Sequence, residues 1–200
     1  VWVLIGSLAL LSDDPDGRFV NRSFLITPNG DIAASYDKIH MFDVTLSETE
    51  SYRESDGYRP GNRAVLAKTD IATIGMSVCY DLRFPYLYRS LAQAGAQILT
   101  IPAAFAQTTG QAHWEILLRA RAIETGCFVI APAQCGHHAV RRGPPRKTYG
   151  HSMIIAPWGD IIAQAGTEKC VIFADIDLGD VDKARARVPS LVKTQEILGP

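Results

Sequence analysis

The stretch Ile71–Arg89, IATIGMSVCYDLRFPYLYR, constrains the fold more than any other part of the chain. Its first half, Ile71 to Val78, is an apolar run rich in β-branched residues, which reads as a buried strand. The run stops at a single thiol, Cys79. Pro85 then suits the first turn of a helix, Leu87, Tyr88, Leu91 and Ala92 form an apolar stripe at helical spacing, and Gly95 fits just past the helix end. Cys79 is therefore expected at a strand-to-helix turn, where an α/β sheet opens toward a crevice. The N-terminus of a following helix also stabilises negative charge and so favours thiolate over thiol.

Cysteine is among the most buried residue types, and a lone one near a strand end is more often structural than reactive. The rest of the chain decides between these readings. Two hundred residues suit one domain spanning 1–200, and the formal charge of −1 gives no electrostatic reason to expect nucleic acid or an acidic membrane as partner. The four cysteines, Cys79, Cys127, Cys135 and Cys170, show no CxxC pairing, which points to a reducing cytoplasm. Trp2–Leu11, WVLIGSLALL, is too short for a membrane span and lacks the charged leader of a signal peptide. It reads as a buried strand entered midway, and with no start methionine before it the chain is expected to be a fragment.

In chain order, Phe19–Ile26 and Asp31–Tyr36 read as strands joined through Pro28-Asn29-Gly30, a strong turn signal. That hairpin ends at Lys38, by default a solvated lysine. Met41–Asn62 shows little periodicity and contains Glu54, by default an exposed carboxylate; loops this long tend to be functional or mobile. A short run at Ala64–Lys68 precedes the thiol stretch. Further strands are expected at Gln97–Ala103, Cys127–Ala133 and Cys170–Ile176. A helix is expected over Gln111–Thr125, capped by Thr109 and closed by Gly126, with Trp114, Leu117, Leu118 and Ile123 on its apolar side and a Glu115–Arg119 pair one turn apart. Gln134–Thr148 reads as a polar loop, Met153–Pro157 and Asp160–Ala165 as a hairpin around Trp158-Gly159, and Val181–Val188 as a short charged helix. Strands alternating with helices, interleaved with hairpins, indicate an α/β fold: a mixed sheet with helices packed on it.

One thiol, one lysine and one carboxylate make chemical sense together. Amide hydrolysis needs a nucleophile that forms a covalent acyl intermediate and a positive group or N–H donors where the carbonyl oxygen gains charge. Cys79 suits the first role. Lys38, helped by the backbone N–H of Tyr80, suits the second, and Glu54 can orient the lysine or assist proton transfer.

At these residues the chain resembles a known family. DKIHMFD, ESDGYRPG, SVCYDLRFPYLYR, AHWEILLRARAIET and YGHSMIIAPWGDIIAQAG are similar to the carbon-nitrogen hydrolases of the nitrilase superfamily, in an order that runs almost end to end. The resemblance implies a nitrilase-like αββα sandwich, here incomplete at the N-terminus, and a Glu-Lys-Cys catalytic set with a second glutamate nearby. By motif, Lys38 becomes the catalytic lysine, Glu54 the second glutamate and Cys79 the nucleophile. The general-base glutamate of the family belongs upstream of Val1, so the full-length protein is expected to be active and this chain impaired, with Cys79 still open to alkylation. Arg83, Phe105, Thr109 and His113, with Tyr80, are candidates for lining the substrate pocket.

The stretch AQAGAQILTIPAAFAQTTGQAHWEILLRARAIETGCFVIAPAQCGHH resembles most the amidases that hydrolyse deaminated glutathione, and next the ω-amidases that act on α-keto acid amides. Both substrate classes carry carboxylates, for which the Arg141–Lys147 loop could supply a basic partner. The resemblance implies no metal or organic cofactor, a small-molecule amide as partner and a homo-oligomer assembled through helix faces. Other readings compete. A papain-like enzyme would need His113 or His151 at the thiol, and a zinc site would need Cys135, His137, His138 and His151 together. A truncated, inactive binding or oligomerisation module is a third.

Overall fold

The computed structural model describes residues 1–13, 15–48, 50–139, 146–193, 195 and 198–199. Its centre is a six-stranded mixed sheet. In chain order its strands are β6 (Val65–Lys68), β7 (Thr73–Met76), β8 (Ile98–Thr100), β9 (Phe128–Ala131), β12 (Met153–Ile155) and β13 (Ile161–Gln164). Across the sheet they run β13-β12-β9-β8-β7-β6; β7, β8 and β9 are parallel to one another, and the outer pairings are antiparallel. A second, three-stranded antiparallel sheet is formed by β1 (Val3–Leu11), β2 (Phe19–Ile26) and β3 (Ile32–Asp37). Two small antiparallel pairs complete the strands: β4 (Asp43–Thr45) with β5 (Ser51–Arg53), and β10 (Cys135–His138) with β11 (Arg146–Tyr149).

The period of two along the central strands sorts their side chains into two cores. Leu99, Ile101, Val129, Ala131, Met153 and Ile155 pack with helices α1 (Pro85–Gln93) and α2 (Gln107–Thr125). Ile74, Met76, Ile98 and Phe128 face the other way, onto Leu25 and Tyr36 of the three-stranded sheet and Val181 of helix α3 (Gly179–Arg187). Helices, sheet and second sheet thus stack in layers, as an α/β sandwich does.

The helix after the thiol forms as its sequence requires. Pro85 opens α1, Leu87, Tyr88, Leu91 and Ala92 are its buried residues, and Gly95 follows at φ 104°. In α2 the reading needs correction. The helix starts at Gln107, so Thr109 lies inside its first turn, its hydroxyl donating to the Ala106 carbonyl at 3.4 Å, and it does not cap the helix from outside. Trp114 and Leu118 are buried and Leu117 packs partly against them, but Ile123 points outward. Gly126 ends the helix in the left-handed conformation at φ 60°, and Glu115 meets Arg119 at 3.4 Å on the exposed face.

Other expectations change for one physical reason, which is where a strand finds its partner. Among the described residues β1 is an edge strand paired only to β2, and Val3, Ile5, Leu8 and Leu11 are exposed; the run is a strand but not a buried one. Cys170–Ile176 alternates outward-facing Val171 and Phe173 with half-buried neighbours, yet joins no sheet among the described residues. The supposed loops at 41–62 and 134–148 contain the short β4–β5 and β10–β11 pairs, too brief for periodicity to reveal.

Candidate active site

Cys79 follows β7 at the point where the parallel ladder gives out. Ser77 N–H donates to Thr100 O and Cys79 N–H to Pro102 O at 3.0 Å, and the chain then turns into a 3-10 segment, Cys79–Arg83. Cys79 itself sits at φ 50°, a left-handed conformation uncommon for a residue with a side chain. Such conformations persist only where the surroundings over-determine them and are frequent at functional sites. Here the surroundings are specific. Val78 N–H donates to an Asp81 carboxylate oxygen at 2.9 Å, and the buried Arg121 of α2 donates twice to the Leu82 carbonyl, at 3.0 and 2.8 Å.

Lys38 is placed by the end of β3. Its N–H donates to Asn21 O at 2.9 Å and its carbonyl accepts from Gly61 N–H at 2.8 Å. The lysine is 2% exposed, so the solvated reading is wrong for it. Its ammonium forms an ion pair with Glu54, whose carboxylate also accepts from Phe42 N–H at 2.6 Å. Glu54 comes from the 3-10 turn Glu54–Asp56 that follows β5 and is itself half-buried. A buried ammonium without such a partner would be costly.

These residues share one cleft of about 620 Å³, lined among others by Lys38, Glu54, Cys79, Tyr80, Phe105 and Thr109. Burial pushes the Cys79 thiol up from its ordinary pKa; the Lys38 ammonium, the Ala104 N–H and the Arg146 guanidinium oppose this, while Glu54 adds to it. The net direction is upward. Burial therefore outweighs the cationic surroundings.

Of the residues singled out from sequence, Cys79, Lys38, Glu54, Tyr80, Phe105 and Thr109 come together in this cleft. Arg83 and His113 do not line it; they meet each other at 3.2 Å, and the Arg83 guanidinium lies over the Phe105 ring, 5.5 Å from its centroid. Among the described residues no histidine lines the cleft, which removes the papain-like arrangement. Among the described residues no three of His, Cys, Asp and Glu gather as a metal site; His138 instead engages the Thr148 hydroxyl at 2.6 Å and His151 the Tyr149 carbonyl at 2.8 Å. Arg141 and Arg142 lie outside the described residues.

The cleft has members that sequence reasoning passed over. Asn21 reaches it from β2 and lies 3.5 Å from Glu54; Tyr52 and Tyr58 come from the stretch around Glu54. The signal for Asn21 was the polar run Asn21-Arg22-Ser23 inside an otherwise apolar strand. Arg146, at the start of β11 and within the basic 141–147 segment singled out from sequence as a carboxylate partner, is a further cleft residue. It donates to Ala104 O at 2.6 Å and lies over the Tyr52 ring, 5.6 Å from its centroid, while its Nε is buried without a hydrogen-bond partner.

Fold and site together define a layered α/β protein that presents a thiol beside a buried lysine–glutamate pair. The family model for carbon-nitrogen hydrolase matches residues 1–186, and the chain belongs to that family. It is 43% identical over 192 residues to the deaminated glutathione amidase of Yersinia enterocolitica, covering 96% of this chain and 66% of that protein. It is 41% identical to the deaminated glutathione amidase of Mus musculus, covering 94% of this chain and 58% of that protein. The C. elegans NitFhit protein superposes with a TM-score of 0.86 at 39% identity, over 94% of this chain and 45% of its own. Nit3 of Saccharomyces cerevisiae, a member of branch 10 of the nitrilase superfamily, gives 0.79 at 28% identity, over 95% and 65%. The nitrilase-like sandwich implied by the motifs is thereby borne out; the chain spans about two thirds or less of the length of these four proteins.

Proposed function

We propose that the protein hydrolyses the C–N bond of a small linear amide bearing a carboxylate, of the deaminated-glutathione type, through a thioester on Cys79 with release of ammonia. The observation that carries this reading is the shared cleft: a thiol on a constrained turn, within the field of a buried ammonium held by Glu54. The thiolate of Cys79 attacks the amide carbonyl carbon, forming the C–S bond, and the oxyanion is met by the Lys38 ammonium and the Tyr80 N–H. The C–N bond then breaks, the nitrogen leaves as ammonia after taking up a proton, and water cleaves the thioester to release the acid and restore the thiol. The family resemblance assigns the proton transfers to a further glutamate, with Glu54 holding Lys38 in place.

Arg146 supports the carboxylate-bearing substrate class. Its guanidinium stands in the cleft, has an unpaired Nε–H and forms no ion pair with a described carboxylate. A charge-assisted hydrogen bond there contributes roughly 1.5–3 kcal/mol, so Arg146→Ala should raise KM for a carboxylated amide about tenfold to a hundredfold. A neutral amide of similar length should be little affected, and equal losses on both would remove Arg146 from this role.

The free thiols fit a reducing cytoplasm, and the outward-facing apolar residues Ile116 and Ile123 of α2 fit a homo-oligomer. No helix among the described residues is long and apolar enough to cross a membrane. The test of the reaction is ammonia release from the full-length protein across a panel of amides, with deaminated glutathione and α-ketoglutaramate first. Cys79→Ala should abolish it, and substantial residual turnover would count against the assignment.

A further inference from the structure

We infer that Asp81 is a positioning residue whose buried carboxylate ties the strand end carrying Lys38 to the turn carrying Cys79, and so sets the ammonium against the sulfur. Asp81 is fully buried and is not among the residues lining the cleft, so it does not meet a bound substrate. Its two oxygens divide their work. Oδ2 accepts from the Tyr36 hydroxyl at 2.7 Å and from Val78 N–H at 2.9 Å; Oδ1 accepts from the backbone N–H of His40 at 3.1 Å and from its ring Nδ1 at 2.6 Å.

The placement of those donors carries the inference. Tyr36 and His40 flank Lys38 two residues to either side, and Val78 immediately precedes Cys79. One side chain therefore grips both segments that the chemistry needs, although their chain positions are far apart. The grip is stiffened from behind, where the His40 ring stacks on Phe84 at 3.6 Å and its Nε2 engages the Tyr86 hydroxyl. A carboxylate in such a dry setting is tolerable only with its oxygens satisfied, so its donors are held as firmly as it is. Misplacing a catalytic group by about 1 Å can cost two orders of magnitude in rate, which makes such a tie consequential.

This inference rests on Cys79 and Lys38 acting together, so its test reads thiol reactivity and not turnover. Alkylation of Cys79 by iodoacetamide is followed by peptide-resolved mass spectrometry across pH, which separates it from Cys135 and Cys170. Asp81→Asn keeps the shape but turns an amide N–H₂ toward donors. It should slow Cys79 alkylation about tenfold at neutral pH in a protein that still melts cooperatively, and slow it less than about twofold further when Lys38→Met is already present. If Asp81→Asn does not fold, Tyr36→Phe removes one donor and should slow alkylation about threefold with the same loss of effect in the Lys38→Met background. Losses that multiply with that of Lys38→Met, or alkylation at the unaltered rate in the folded variant, would overturn the inference. Missing ammonia release with this coupling intact would overturn the amide reading and leave the inference standing.

Discussion

At Cys79 two influences oppose each other, and burial outweighs Lys38 and Arg146. Relative to an ordinary cysteine, the cleft therefore favours the thiol over the thiolate. Because the thiolate is the species that reacts, alkylation of Cys79 should climb with pH to a midpoint above the ordinary thiol value of about 8.5. Lys38→Met deletes the cation that most favours the thiolate and should move that midpoint higher still. A midpoint below neutrality, or one indifferent to Lys38, would contradict the geometry. Tyr36 and Tyr88 carry a related consequence. Burial pushes both phenols up, with the Asp81 carboxylate adding to it. Their neutral forms favour the fold fully below the unfolded pKa of about 10, and that stability is lost as pH rises above it. Melting temperature should accordingly fall above pH ~10, with the share of tyrosinate absorbance due to Tyr36 and Tyr88 appearing only as the protein unfolds.

The grouping of Cys79, Lys38 and Glu54 was legible at this scale only because motif and chemistry agreed. By burial statistics alone Lys38 and Glu54 looked like surface residues, since nothing local announces that a lysine leaving a strand will meet a carboxylate sixteen positions on in a loop. Asp81 was not legible for the opposite reason. It stands in the recognised motif, but its donors Tyr36 and His40 come from β3 and the chain just beyond it, and no spacing rule connects them.

At the scale of elements, strand–turn–helix signals served well where they were local. Pro85, Gly95 and Gly126 mark real helix boundaries, and the Pro28-Asn29-Gly30 and Trp158-Gly159 turns join real hairpins. They failed where pairing decides: Cys170–Ile176 has a strand's alternation without a ladder partner, and Thr109 is drawn inside α2 because the helix begins at Gln107. Gly110 shows how closely α2 approaches β11, since a Cβ there would lie 2.4 Å from the Cβ of Tyr149. Gly110→Ala should force the two elements apart and cost about 1–3 kcal/mol, read as a lower denaturant midpoint at unchanged m-value. An unaltered midpoint would mean that this contact yields freely.

For the whole molecule, the layered arrangement brings residues from the second sheet, the β5 turn and the central sheet to one cleft, which is why the site assembles only on folding. The same arrangement leaves Val3, Ile5 and Leu8 of β1 exposed along an edge strand. Such a surface invites pairing with another chain. This 200-residue chain should therefore associate as its concentration rises, visible in light scattering coupled to size-exclusion chromatography, and a monomer at every concentration would contradict that. The most direct test of the central claim is peptide-resolved mass spectrometry of the full-length protein quenched in acid while it turns over a carboxylated primary amide. The expected result is a Cys79 peptide heavier by the substrate less ammonia, absent in Cys79→Ala; ammonia release with the acyl group on another residue, or with Cys79 dispensable, would contradict it.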